Sequence, residues 1–118
     1  MSDIATLDAK LNEMFLTGKA MEAFEELYAD DVVMQENNEE PRIGKDVNRK
    51  AELDFFASVA EFHGAKVLAS AVNGDVSFCE VWMDFTLKNG YRATMSQVAV
   101  RRWKDGKIAN ERFYYNKG

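Results

Sequence analysis

One cysteine, one proline and one histidine in 118 residues remove several kinds of chemistry at once. Cys79 has no second thiol to pair with, which fits a reducing compartment. His63 stands alone, so no imidazole-based zinc or iron set exists, and no carboxylate spacing marks a magnesium site. Glycine-rich phosphate loops and dinucleotide fingerprints are absent as well. Neither metal nor cofactor is expected. Basic charge is also in deficit, 15 Lys and Arg against 20 Asp and Glu for a net charge of −5. That balance argues against nucleic-acid phosphates or an anionic membrane as partners. No apolar run reaches spanning length, and the first residues lack the basic start and apolar block of a secretory signal. The expectation is one cytoplasmic domain over residues 1–118, without linker or repeat, large enough to bury a real core.

What the chain does have is clear periodicity. Ser2 or Asp3 can cap a first helix whose apolar positions Ile4, Leu7, Leu11, Met14 and Phe15 recur at helical spacing, with Gly18 as its stop. A second helix follows with Ala20, Met21, Ala23, Phe24, Leu27 and Tyr28 apolar. Val32 to Gln35 reads as a short strand, and residues 36–42 as a polar loop. A third helix begins near Asp46 with Val47, Ala51, Phe55, Val59 and Phe62 in one stripe and Gly64 as its stop. His63, beside that glycine, would meet the helix dipole favourably. Lys66 to Val72 is a strand, and Asn73-Gly74-Asp75 turns the chain into a long stretch from Val76 to Tyr115.

That stretch predicts three antiparallel strands. Asn89-Gly90 is the preferred pair for a two-residue turn, and Lys104-Asp105-Gly106 suits a three-residue loop with a bulge. The resulting register sets Lys88 opposite Tyr91, Trp82 opposite Gln97, and Glu80 and Glu111 on either side of Ala99. Side chains alternate across a strand, so one face collects Phe78, Glu80, Trp82, Asp84, Gln97, Arg101, Glu111, Phe113 and Tyr115. The other collects Cys79, Val81, Met83, Phe85, Val98 and Val100. Helices segregated to one side of an antiparallel sheet make an α+β domain. A sheet curled around the third helix would form a cone with a pocket between the helices and its concave face.

In that arrangement Trp82, Asp84, Gln97, Phe113, Tyr115, Phe55 and Tyr28 would contact a small-molecule ligand. Glu80 and Glu111 could share a proton as an acid-base pair, since neighbouring like charges push one pKa up. They could equally form an ion cluster with Arg101 that only neutralises charge. The assignment of faces carries its own alternative. If it is inverted, Val81, Met83 and Phe85 pack under the helices, and Glu80, Asp84 and Glu111 face water.

The element order, Leu27-Tyr28-Ala29-Asp30-Asp31-Val32-Val33, Ile43-Gly44-Lys45-Asp46, and Asp105-Gly106-Lys107-Ile108 followed by Phe113-Tyr114-Tyr115 resemble the nuclear transport factor two-like superfamily. Within it the chain is most similar to the SnoaL-like and ketosteroid isomerase-like branch. The resemblance implies a cone-shaped curved sheet around three N-terminal helices. It also places Glu36 where the isomerases carry their general base. Leu11 and Ala99 stand where those enzymes keep their two oxyanion donors, so steroid isomerisation by that route is not expected. Related domains commonly dimerise through the convex sheet, and the resemblance implies a homodimer here through Val81, Met83, Phe85, Val98 and Val100. The functional expectation is a small-molecule pocket with cofactor-free acid-base chemistry of isomerase, dehydratase or cyclase type on an apolar or aromatic substrate. Glu36, Glu80 and Glu111 would carry protons and Arg101 would orient or pair. The alternative is a non-catalytic ligand-binding or interaction domain.

Overall fold

The computed structural model describes residues 3–117. Helix α1 (Ile4–Leu16) starts where Asp3 accepts a hydrogen bond from the Thr6 amide at 2.8 Å, satisfying one of the free donors of the first turn. Ser2, the other candidate cap, lies outside the described residues. Helix α2 (Ala20–Leu27) buries Ala23, Phe24 and Leu27, and Lys45 donates to the Glu25 and Tyr28 carbonyls at its end. Strands β1 (Tyr28–Glu36) and β2 (Arg42–Ile43) follow, then helix α3 (Lys45–Ser58).

Four long strands or strand segments complete the chain: β3 (Val59–Asn73), β4 (Val76–Leu87), β5 (Arg92–Lys104) and β6 (Lys107–Tyr115). They form one curved sheet in the order β2-β1-β6-β5-β4-β3, antiparallel except where β1 runs parallel to β6. The three helices cover its inner side. Helix α1 packs on β3 and β4, and α3 packs on β1.

Several boundaries differ from expectation, the first being that β1 begins at Tyr28, which the periodicity placed in the second helix. Helix α3 stops at Ser58, because Val59, Glu61 and Phe62 already pair with Leu87, Thr86 and Phe85 of β4. A continuous ladder outweighs the weak helix preference of so short a stretch. Gly64 therefore lies inside β3 opposite Asp84, and His63 meets no helix end; its Nε2 lies 2.7 Å from the Thr86 hydroxyl. Arg42, expected in the polar loop, pairs with Met34, and Ile43 after it pairs with Val33.

The two glycine turns exchange their expected types. Between β4 and β5 the loop is Lys88-Asn89-Gly90, closed by the Leu87 amide donating to the Tyr91 carbonyl at 2.8 Å. Only Gly90 is left-handed, at φ 91°, while Asn89 accepts from the Tyr91 amide through its side chain. Between β5 and β6 the loop is the two residues Asp105 and Gly106, at φ 53° and 78°. The first exchange shifts β5 by one residue, so Val81 faces Gln97 and Met83 faces Met95.

A one-residue slip turns a strand over. The inner face consequently holds Cys79, Val81, Met83 and Phe85 with Met95, Gln97, Ala99 and Arg101, and β6 adds Glu111, Phe113 and Tyr115. Burying Val81, Met83 and Phe85 contributes about 5 kcal/mol or more. A left-handed residue in a turn costs about 1–2 kcal/mol, so core packing decides the register. The expected convex patch is thereby corrected. Val81, Met83 and Phe85 are core residues beneath the helices, and only Val98 and Val100 remain outside.

Candidate functional site

Between the helices and the inner face lies a cavity of about 360 Å³. Its walls are apolar, with Phe15, Met21 and Phe24 from the first two helices, Phe55 and Phe56 from α3, and Val81, Met83, Met95 and Phe113 from the sheet. Its polar lining comes from Tyr28, Glu36, Arg42, Glu52, Gln97, Arg101, Glu111 and Tyr115. The structure thus brings Glu36, Glu111, Arg101, Gln97, Phe113, Tyr115, Phe55 and Tyr28 to one cavity, all eight anticipated from sequence.

Glu80, Trp82 and Asp84 are elsewhere. They project from the outer face of β4, because the shifted register separates them from Gln97 and Arg101. Glu80 is exposed, and Asp84 is paired with Arg92 through two hydrogen bonds of 3.0 and 2.7 Å. That guanidinium holds the Asp84 carboxyl below the usual carboxylate range. The expected Glu80–Glu111 pair across Ala99 therefore does not form.

Glu111 instead anchors a buried network. Its two oxygens accept from the Tyr28 hydroxyl at 2.6 Å and from Arg101 Nε at 2.9 Å. Arg101 Nη1 continues to Asp8 at 2.7 Å and Asn12 at 2.9 Å on α1. Asp8 also accepts from Ser77, whose hydroxyl accepts from the Trp103 indole, both at 2.8 Å. Burial by itself disfavours the Arg101 charge, but Glu111 and Asp8 outweigh it and raise its pKa. Tyr28 is also pushed well above the usual phenol value, first by burial and then by the Glu111 charge.

A second group sits at the end of β1. Glu36 pairs with Arg42 at 2.5 Å, and the Tyr115 hydroxyl lies 3.5 Å from its other oxygen. Arg42 is held by the fully buried Asn48, which accepts from Arg42 Nε at 3.1 Å and donates to the Arg42, Gly44 and Val32 carbonyls. This clamp explains how a short polar stretch between β1 and α3 keeps a fixed shape.

Glu52 was not anticipated. It lies on α3 at the cavity, partly buried, and has neither hydrogen bond nor ion pair to another described residue. Desolvation, reinforced by Glu111 and Glu36 and opposed by Arg42, pushes its carboxyl up to about 7. A sequence signal exists in hindsight: Asn48, Glu52 and Phe56 recur every four residues and therefore share one helix face. Asp8 falls the same way between Ile4 and Leu11 on α1.

A further depression of about 530 Å³ lies beside Glu25, Asp30, Lys45 and Lys107. Its walls are mostly charged, and Lys45 is already engaged with backbone carbonyls. Among the described residues no group of three His, Cys, Asp or Glu is arranged to hold a metal ion.

Three helices inside an open curved sheet, with an apolar cavity between them, define the α+β cone of the NTF2-like proteins. A profile of the SnoaL-like domain matches residues 3–115, and the chain belongs to that family. A Mesorhizobium loti protein, named both SnoaL-like polyketide cyclase and carbohydrate phosphatase, is similar at 33% identity and a TM-score of 0.85. The match covers 97% of this chain and 100% of that one. An NTF2-like protein of unknown function from Burkholderia pseudomallei superposes with a TM-score of 0.83 at 17% identity, over 98% of this chain and 92% of that one. A Catenulispora acidiphila protein with a ketosteroid isomerase-like fold, solved with trimethylamine, gives 0.76 at 15% identity, over 92% and 85% of the two chains. These last two likenesses concern the fold. No protein of curated function matches the chain.

Proposed function

We propose that the cavity takes a small, flat, largely apolar molecule and that the protein performs cofactor-free acid-base chemistry on it, of isomerase, dehydratase or cyclase type. The observation that carries this reading is the cavity's composition: apolar and aromatic walls around the carboxyl groups of Glu36, Glu52 and Glu111. In such surroundings charges interact more strongly than in water, and a carboxyl can work near neutral pH. Isomerisation and carbon–carbon cyclisation both begin with proton removal beside a carbonyl. The Mesorhizobium relative's cyclase name supports this reaction class. Leu11 and Ala99 remain apolar on the cavity side, so any carbonyl oxygen must find donors other than those of the ketosteroid isomerases.

The rival reading, a binding domain without turnover, is favoured by one feature. Asp8, Arg101, Glu111 and Tyr28 are joined in one buried hydrogen-bonded network, as a purely structural ion cluster would be. Occupancy is tested with methyl-labelled methionine and 2-naphthol. Binding in the cavity shifts the Met21, Met83 and Met95 methyl resonances and leaves Met34, which is fully buried and does not line the cavity, in place. Unshifted methyls at millimolar 2-naphthol would reject the pocket reading.

The proposed partner is a second copy of the chain, through the outer sheet face. Phe78, Trp82, Val98, Val100 and Tyr114 supply its apolar surface after the correction of the register. No helix among the described residues is long and apolar enough to cross a membrane. The lone, buried Cys79 thiol suits the cytoplasm, which is the proposed location.

A further inference from the structure

We propose that Glu52 is the group that moves the proton in this cavity, with the Gln97 amide holding the substrate's carbonyl oxygen. This rests on the acid-base reading of the pocket and names its working residues. The inference follows from which polar groups are already committed. Glu36 is engaged by Arg42 and Tyr115, and Glu111 by Tyr28 and Arg101. Tyr28 donates to Glu111, Arg101 to Glu111, Asp8 and Asn12, and Arg42 to Glu36 and Asn48. Of the polar side chains lining the cavity, only Glu52 and Gln97 make no hydrogen bond to another described residue.

Neither is sealed off. No buried side-chain nitrogen or oxygen among the described residues lacks a partner, so the Glu52 oxygens and the Gln97 amide reach open space, and that space is the cavity. They approach it from opposite walls, Glu52 from α3 and Gln97 from β5. Tyr115 pairs with Gln97 across the sheet, and Phe55 and Phe56 follow Glu52 on the helix, so aromatic rings flank both groups. The charged groups acting on Glu52 are Glu111, Glu36 and Arg42. Two carboxylates against one guanidinium, with desolvation, leave it half-ionised near neutral pH, able both to accept and to return a proton.

The step balances without a co-reactant. The ionised Glu52 carboxylate takes a proton from the carbon beside a ketone. The C–H electron pair becomes the enolate double bond, and charge develops on the oxygen held by Gln97. The proton then returns from Glu52 to carbon, at the same position for exchange or further along a conjugated system for isomerisation. The substrate class is a flat, mostly apolar ketone or enone with an acidic C–H beside the carbonyl.

The experiment uses 2-tetralone in D₂O at pH 7, reading deuterium incorporation by NMR together with the Met83 and Met95 methyls. Glu52→Gln should lower the exchange rate about 100-fold or more while the methyl shifts persist, and Glu52→Asp should recover part of it. Asp54→Asn, on the exposed side of the same helix, should exchange like the wild type. Gln97→Leu should slow exchange about tenfold or more without moving the Glu52 titration. If 2-tetralone shifts the methyls but Glu52→Gln exchanges at the wild-type rate, or the wild type exchanges no faster than buffer, the role of Glu52 is overturned and the pocket reading stands. If the methyls do not move, the pocket reading fails and this inference with it.

Discussion

Glu52 gives the fold's stability a pH dependence of its own. Its carboxyl is raised from 4.5 to about 7, so the folded state favours the protonated form. Below pH 4.5 folded and unfolded chains both hold the proton and stability from this group is full. As pH rises towards 7 the unfolded chain releases its proton first, and stability is lost until both forms are ionised. Glu52→Gln removes that loss. Urea unfolding should show the variant more stable than the wild type by about 1–3 kcal/mol at pH 8, with the difference vanishing at pH 4. A constant difference across that range would contradict the assigned titration. Glu111, by contrast, is committed to Arg101 and Tyr28. Its place on the cavity side was readable from the strand alternation, but Asp8, the second carboxylate on Arg101, was not, because an aspartate in a helix is ordinarily read as facing water.

Among the elements, the segment from β1 to α3 is the one that sets Glu36 and Arg42 against the cavity. Asn48, fully buried at the start of α3, joins three backbone carbonyls and the Arg42 guanidinium. Asn48→Ala should cost about 2–4 kcal/mol in urea unfolding, since truncation strands several buried acceptors. It should also release Arg42 from its place beside Glu36, broadening the backbone resonances of residues 36–44. A loss below about 0.5 kcal/mol would mean that the clamp is not what orders this segment. The two hairpins of β4 to β6 carry the complementary lesson. Both turns were locatable from their glycines, yet Asn-Gly accepts either a two-residue turn or a three-residue loop. The choice fell to the apolar residues whose burial the register controls.

For the molecule as a whole, the outer sheet face is the surface left to explain. Phe78, Val98 and Tyr114 are each more than a third exposed there, beside Trp82 and Val100. If two copies pair through this face, light scattering at tens of micromolar should give twice the 13.4 kDa chain mass, and Val98→Glu should return it to once that mass. A wild type that scatters as a single chain would dismiss the dimer. The face inversion weighed at the outset turned out half true. Val81, Met83 and Phe85 do pack under the helices and Glu80 does face water, but Asp84 is buried against Arg92 and Glu111 stays within, because the one-residue shift at the second turn and the bulge between Arg102 and Trp103 add to two and leave β6 in phase with β5.

The sequence by itself determined the three helices and all the strands except β2 in their order, through periodicity and turn chemistry that act over a few neighbouring residues, while the family resemblance supplied the cone and the place of Glu36. The tertiary structure alone decided which face of β4 turns inward, that Asp8 completes the buried ion network, and that Glu52 is the cavity carboxyl with no partner among the described residues. Those outcomes depend on distances between residues far apart in the chain. They also depend on a competition between burial, worth several kcal/mol, and local turn preference, worth about one or two.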